Sequence, residues 1–139
     1  MLPATPYNLI LATTPYEKHS VNMALVSKAL SAASKGDLGT LKSLKSQFNF
    51  SDCCDKFGAS PVHYAARAGK VDCLRWLIQT AGLSGNKAAN NGATPAHDAA
   101  ATGQLDCLQW LIQNGGCSAE NRDSCGATPL HLGRSCRYY

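Results

Sequence analysis

Residues 57–69 read FGASPVHYAARAG, and residues 91–103 read NGATPAHDAAATG. The stretches that follow match as well, VDCLRWLIQ at 71–79 against LDCLQWLIQ at 105–113. From position 57 to 91 the offset is 34 residues, and the motif opens again another 34 residues on, at 125, as CGATPLH. A weaker copy without the Gly-x-Thr-Pro opening precedes them, LSAASKG at 30–36 followed by Leu41-Lys-Ser-Leu44. Self-similarity at this period marks a stack of supersecondary units in which none can bury its apolar face alone.

Each unit reads as a turn and two short antiparallel helices. Ser60, Thr94 and Thr128 are helix N-caps, and Pro61, Pro95 and Pro129 stand at the first helical position, where the missing N–H costs nothing. Gly69 and Gly103 sit where the first helix ends in a left-handed residue. Asp72 and Asp106 fall in the first turn of the second helix, where a carboxylate favours the helix dipole. Leu74, Leu77 and Ile78, with Leu108, Leu111 and Ile112 one unit later, recur at i, i+3 and i+4 and give one apolar stripe per helix. The alanine pairs Ala65-Ala66 and Ala99-Ala100 let neighbouring first helices approach closely.

These residues resemble the ankyrin repeat, whose T-P-L-H-x-A signature stands here as SPVHYA, TPAHDA and TPLHLG. The other 34-residue helical repeat, the tetratricopeptide, requires a W-x2-L-G-x2-Y pattern that this chain lacks. The predicted fold is an all-α ankyrin-repeat solenoid. Residues 1–22 form a leader expected to be disordered, 23–54 an N-terminal cap repeat, 55–88 and 89–122 two complete repeats, and 123–139 a partial repeat, with 134–139 also poorly ordered.

The wording of the units, NGATPAHDAAATGQLDCLQWLIQNGGC above all, is similar to the first repeats of the espin and espin-like family, over residues 23 to 132. Met23-Ala24-Leu25 and the Ala32-to-Leu38 stretch match the way those chains open. After Leu132 the sequence departs from the family pattern and reads as a truncated form. The resemblance implies a protein-interaction module that docks the tail of class III myosins, in the cytoplasm, with the cytoskeleton of actin-rich protrusions such as stereocilia. The family binds and bundles actin filaments through segments that this chain lacks. The alternative is a folded fragment that binds nothing, or that interferes with full-length relatives.

Composition agrees with a packed, cytoplasmic domain. The 139 residues are 45% hydrophobic and 16% charged, too apolar for a disordered chain. Thirteen Lys and Arg against nine Asp and Glu are scattered singly, which excludes the clustered stripe of a nucleic-acid binder. The one apolar run near the N-terminus, Leu9 to Ala12, has no basic stretch before it and is too short to span a bilayer. Seven cysteines, Cys53, Cys54, Cys73, Cys107, Cys117, Cys125 and Cys136, are an odd number without metal-ligand spacing, and the two helical ones replace an aliphatic residue at one repeat position. They read as small buried hydrophobes in a reducing compartment, with no metal, no cofactor and no membrane partner.

His63, His97 and His131 share one position of the repeat, three residues after the capping Ser or Thr, and read as hydrogen-bonded links between turn and helix rather than catalytic bases. No catalytic residue is expected. Trp76 and Trp110, beside the apolar stripe, read as packing between repeats. Residues that the repeat does not need are the candidates for partner contact: Phe57 and Asn91 at the turn tips, with Lys56, Ala59, Asn90 and Ala93 beside them, and Tyr64, Arg67, Asp98 and Thr102 on the first helices, facing the concave side. Asp98 takes the place of Tyr64 one unit on and is also positioned for an ion pair with Arg67. At the C-terminal end Trp110, Leu111 and the partial repeat are expected to be exposed and to favour association.

Overall fold

Glycine and the Ser/Thr-Pro pairs divide the described part of the chain into helical hairpins. In a computed structural model, residues 15–47, 49–50 and 53–131 are described, the side chains of 15–22 excepted. Six helices follow in order: α1 (Pro15–Lys35), α2 (Leu38–Lys45), α3 (Pro61–Ala68), α4 (Val71–Gln79), α5 (Pro95–Ala101) and α6 (Leu105–Asn114). Residues 129–131 begin another helical turn. Helices α1, α3 and α5 pack side by side, and α2, α4 and α6 each fold back on the first helix of their own unit. This is the expected all-helical solenoid.

The punctuation works as the residues require. Ser60 and Thr94 are extended N-caps with Pro at the first helical position. Gly36, Gly69 and Gly103 all have φ between 75° and 77° just past a first helix, a left-handed backbone that costs glycine nothing. Asp72 and Asp106 lie in the first turns of α4 and α6.

The cap unit starts earlier than its repeat register. Helix α1 begins at Pro15, so residues 15–22 of the expected leader are helical. No glycine or proline interrupts residues 16–35, and nothing in the sequence stops a helix from running back to Pro15. The rest of that leader, residues 1–14, and the C-terminal residues 132–139 lie outside the described residues.

The core forms where the stripes meet. Ala29, Ala33, Ala65, Ala66, Ala99 and Ala100 are fully buried along the α1–α3–α5 stack, where a larger side chain would hold the helices apart. Leu41, Leu44, Leu74, Leu77 and Leu111 fill the space behind them. Each such leucine contributes about 1.5–3 kcal/mol of transfer free energy. Leu111 is therefore core, contrary to its expected exposure at the end of the stack, because α6 turns it inward against its own unit. Cys73 and Cys107 occupy the same buried register as each other, as an aliphatic residue would. Trp76 packs edge-to-face on Phe50 of the cap unit with ring centroids 6.2 Å apart, a contact between units worth about 0.5–1.5 kcal/mol beyond burial.

Candidate protein-docking face

The turns that carry Phe57 and Asn91 are built by side chains close in sequence. Asp55 Oδ1 accepts the N–H groups of Phe57 and Ala59, both at 2.9 Å. Asp123 does the same for Cys125 and Ala127 two units on. Ala89 stands at that register between them, and there Asn91 Oδ1 takes the N–H of Ala93 at 3.0 Å instead. Successive turns are tied in a ladder: Asn90 N–H donates to the Phe57 carbonyl at 2.9 Å, and Ser124 N–H to the Asn91 carbonyl at 2.7 Å. The tips are thereby held in fixed register against the helices below.

The histidines continue that ladder inward. His63 Nδ1 accepts the Ser60 N–H at 3.1 Å, with Ser60 Oγ 3.0 Å from the same nitrogen. An acceptor Nδ1 places the ring proton on Nε2, which donates to the Ala93 carbonyl of the next unit at 2.9 Å. His97 repeats the arrangement with Thr94 and Ala127. Burial holds His63 below the ordinary imidazole pKa, and the ring is neutral. The expected link between turn and helix is present, and each link also joins one unit to the next. Fully buried and saturated, these rings have no access to a substrate.

Most of the described thiols are buried. Cys53, Cys73, Cys107 and Cys117 are buried, Cys54 is half-buried and Cys125 is exposed, while Cys136 lies outside the described residues. Burial raises Cys53 to about 12 and Cys107 and Cys117 to about 11, so these remain thiols rather than thiolates at neutral pH. Cys117 Sγ donates to the Gly85 carbonyl at 2.7 Å, joining the loops of consecutive units. Among the described residues no group of three His, Cys, Asp or Glu is placed to hold a metal ion.

What remains is a chain of contacts across α3 and α5. The Tyr64 hydroxyl donates to Asp55 Oδ2 at 2.7 Å. Burial by itself would raise Asp55, but that hydroxyl and the Ala59 and Phe57 N–H groups outweigh it and hold the carboxyl below its ordinary range. The Arg67 guanidinium lies 5.1 Å from the centre of the Tyr64 ring and reaches Asp98 Oδ2 at 2.9 Å. The Arg67 side chain is 45% exposed and that of Asp98 17%, so the pair bridges the two units with one side open to solvent. Phe57 is 64% exposed, with Lys56 Nζ 5.2 Å from its ring centre. Phe57, Arg67, Asn90, Asn91, Asp98 and Asp55 border a shallow depression of about 280 Å³.

Four of the six expected contact residues, Phe57, Arg67, Asn91 and Asp98, therefore meet around one depression. Tyr64 does not border it but contacts two residues that do, Asp55 and Arg67. Thr102 lies apart at the C-cap of α5, its hydroxyl donating to the Asp98 carbonyl at 2.9 Å. Asp55 is the residue that sequence reasoning missed. Its signal is its recurrence as Asp123 two periods later, four residues before an Ala-Ser/Thr-Pro turn.

A family model described as ankyrin repeats, in three copies, matches residues 29–123. The chain is an ankyrin-repeat protein. This ankyrin array is also similar to "Espin-like protein" of Mus musculus, 48% identical over 65 residues, and to that of Homo sapiens, 50% identical over 65 residues. Each match covers 46% of this chain and 6% of the relative. The ankyrin stack is a protein-interaction module, and no described helix is long and apolar enough to cross a membrane.

Proposed function

We propose that this ankyrin array binds an extended, mixed-charge segment of a partner protein across the concave face of its second and third units, with the tail of a class III myosin as the partner. The observation that carries the reading is the Tyr64–Arg67–Asp98 string, whose Arg67 and Asp98 border one depression with exposed Phe57. Apolar area, a cation and two carboxylates are presented by backbone locked through the turn ladder. Rigid aromatic anchors surrounded by partly desolvated charge are the usual composition of a binding hot spot. The similarity to Espin-like proteins supports the choice of partner and an association with the actin cytoskeleton. Any actin contact in such an assembly is made by segments other than these repeats.

Titration of the 139-residue chain with a class III myosin tail peptide, beside an actin co-sedimentation control, tests the reading. Asp98→Lys places a second cation against Arg67 and weakens binding about tenfold, or about 1.4 kcal/mol, with the helical circular-dichroism signal retained. Normal binding by that variant, together with loss of binding in Gln109→Glu on the exposed side of α6, overturns the assignment of the face. Pelleting of the chain with actin overturns the separation of the two roles.

A further inference from the structure

Three turns of the stack share one backbone. The N–H groups of Asp55, Ala89 and Asp123 each donate to the carbonyl four residues on at 2.8–2.9 Å. Gly58, Gly92 and Gly126, with φ of 79° to 83°, donate back to the carbonyls of those same residues at 2.9–3.0 Å. In two of the turns the first residue is an aspartate, and its Oδ1 takes two N–H groups, those of Phe57 and Ala59 or of Cys125 and Ala127. In the turn between them it is Ala89, which has no oxygen to offer. The Ala93 N–H goes to Asn91 Oδ1 at 3.0 Å instead, but the Asn91 N–H, equivalent to those of Phe57 and Cys125, has no hydrogen-bond partner among the described residues. The third unit thus keeps the backbone that receives a carboxylate and supplies no carboxylate of its own. Ala89 and Asn91 both border the concave depression, as does Arg67, which holds Asp98 through Nη2 alone. At the register where Tyr64 reaches its own aspartate the third unit has the shorter Asp98, so no phenol fills the space in front of Ala89. Three cations stand on this part of the face, Lys56 by the Phe57 ring, Arg67, and Lys87, whose charge acts on His63. Against them are two carboxylates, Asp55 tied into its own turn and Asp98 paired with Arg67. The excess is positive and suits an incoming anion.

We infer that, in the docking proposed above, an aspartate or glutamate of the partner segment sets its carboxylate in front of Ala89, at the position that an aspartate of the chain itself takes in the other two turns. One carboxylate oxygen accepts the Asn91 N–H, as Asp55 Oδ1 accepts that of Phe57. The other faces the Arg67 guanidinium across the depression. A backbone N–H and a guanidinium together give a carboxylate charge-assisted hydrogen bonds, the stronger class of such contacts. The turn ladder already holds the Asn91 backbone in place, since its carbonyl accepts the Ser124 N–H at 2.7 Å, so the contact orders little of the chain on binding.

The backbone amide signal of Asn91 in the 15N-labelled 139-residue chain reads this contact directly. The probe is a Gly-Glu-Gly peptide blocked at both ends, at millimolar concentration and low salt, beside the same peptide with Gln for Glu. The Glu peptide is expected to move the Asn91 signal saturably, and the Gln peptide to leave it in place. Ala89→Asp supplies the carboxylate from within the chain, so it shifts the Asn91 signal without any peptide and abolishes the response to the Glu peptide. Arg67→Gln, a change at an exposed side chain, weakens that response with the far-UV signal retained. With a class III myosin tail peptide, Ala89→Asp lowers affinity about tenfold, because the site is already filled. An Asn91 signal indifferent to the Glu peptide, or equally responsive to the Gln peptide, overturns the inference. A response that survives Ala89→Asp does the same. Binding of the myosin tail peptide by a chain that gives either result leaves the concave-face docking standing. An Asn91 signal that answers to the Glu peptide in a chain that ignores the myosin tail peptide keeps the carboxylate site and overturns the choice of partner.

Discussion

Replacing His63 by alanine removes one of the hydrogen bonds that join the second and third units, and its cost follows from the partners left behind. His63 is fully buried, and the Ser60 whose N–H it accepts is buried as well. The Ser60 N–H loses its acceptor at 3.1 Å, and a buried donor without a partner costs about 1–3 kcal/mol. The Ala93 carbonyl is less affected, because it also accepts the Ala89 N–H at 2.8 Å, and losing the His63 Nε2 bond there costs about 1 kcal/mol. Loss of the packed ring adds about 1 kcal/mol, giving a total of about 3–5 kcal/mol, a large share of the roughly 5–15 kcal/mol that holds a domain together. Urea unfolding followed by the fluorescence of Trp76 and Trp110 and by far-UV circular dichroism measures it. A loss below about 1 kcal/mol with an unchanged denaturant slope refutes the bridging role.

The same ring predicts the direction of the pH dependence. His63 has a lowered pKa in the folded chain, so as pH falls below about 6.5 the unfolded chain takes up a proton that the native one declines. The stability it contributes is present above that pH and declines below it, by at most about 1.4 kcal/mol per pH unit for this one group. Asp55, also lowered, contributes stability above its unfolded value of 3.8 that is lost as pH falls through its folded value, so the histidine window is met first on acidification. His63→Ala removes the His63 share of the slope below about pH 6.5. A variant that keeps the wild-type slope there contradicts the assignment.

Gly58→Ala forces a side chain onto φ +83° and against the Asn90 backbone nitrogen 3.0 Å away, and is expected to destabilise by about 1–3 kcal/mol in thermal or urea melts. A double-mutant cycle on Arg67→Ala and Asp98→Ala is expected to return a coupling of only about 0–1 kcal/mol to folding, since one side of the pair is open to solvent. Cys107→Ser buries a stronger hydrogen-bonding group in an apolar site and is expected to cost about 1–3 kcal/mol by urea melt, whereas Cys107→Val is tolerated better.

The repeat itself was legible from residues alone, because its signals are local. A Ser or Thr before proline, a glycine just past a short helix and an apolar stripe at helical spacing each fix backbone conformation within a few residues. Their recurrence every 34 residues made each unit a check on the next. The inward histidines and the aliphatic character of Cys73 and Cys107 followed from the same register. Only tertiary structure decided the rest, since it depends on what lies one unit away. Asp55 organises a turn and takes the Tyr64 hydroxyl, a pairing between residues nine apart that no helical or strand period announces. Which nitrogen of His63 bridges units was fixed by the position of the Ala93 carbonyl. Leu111 and Ile112 belong to one sequence stripe, yet one is fully buried and the other 39% exposed. A stripe states which face is apolar, but burial is set by whether a neighbouring helix covers it.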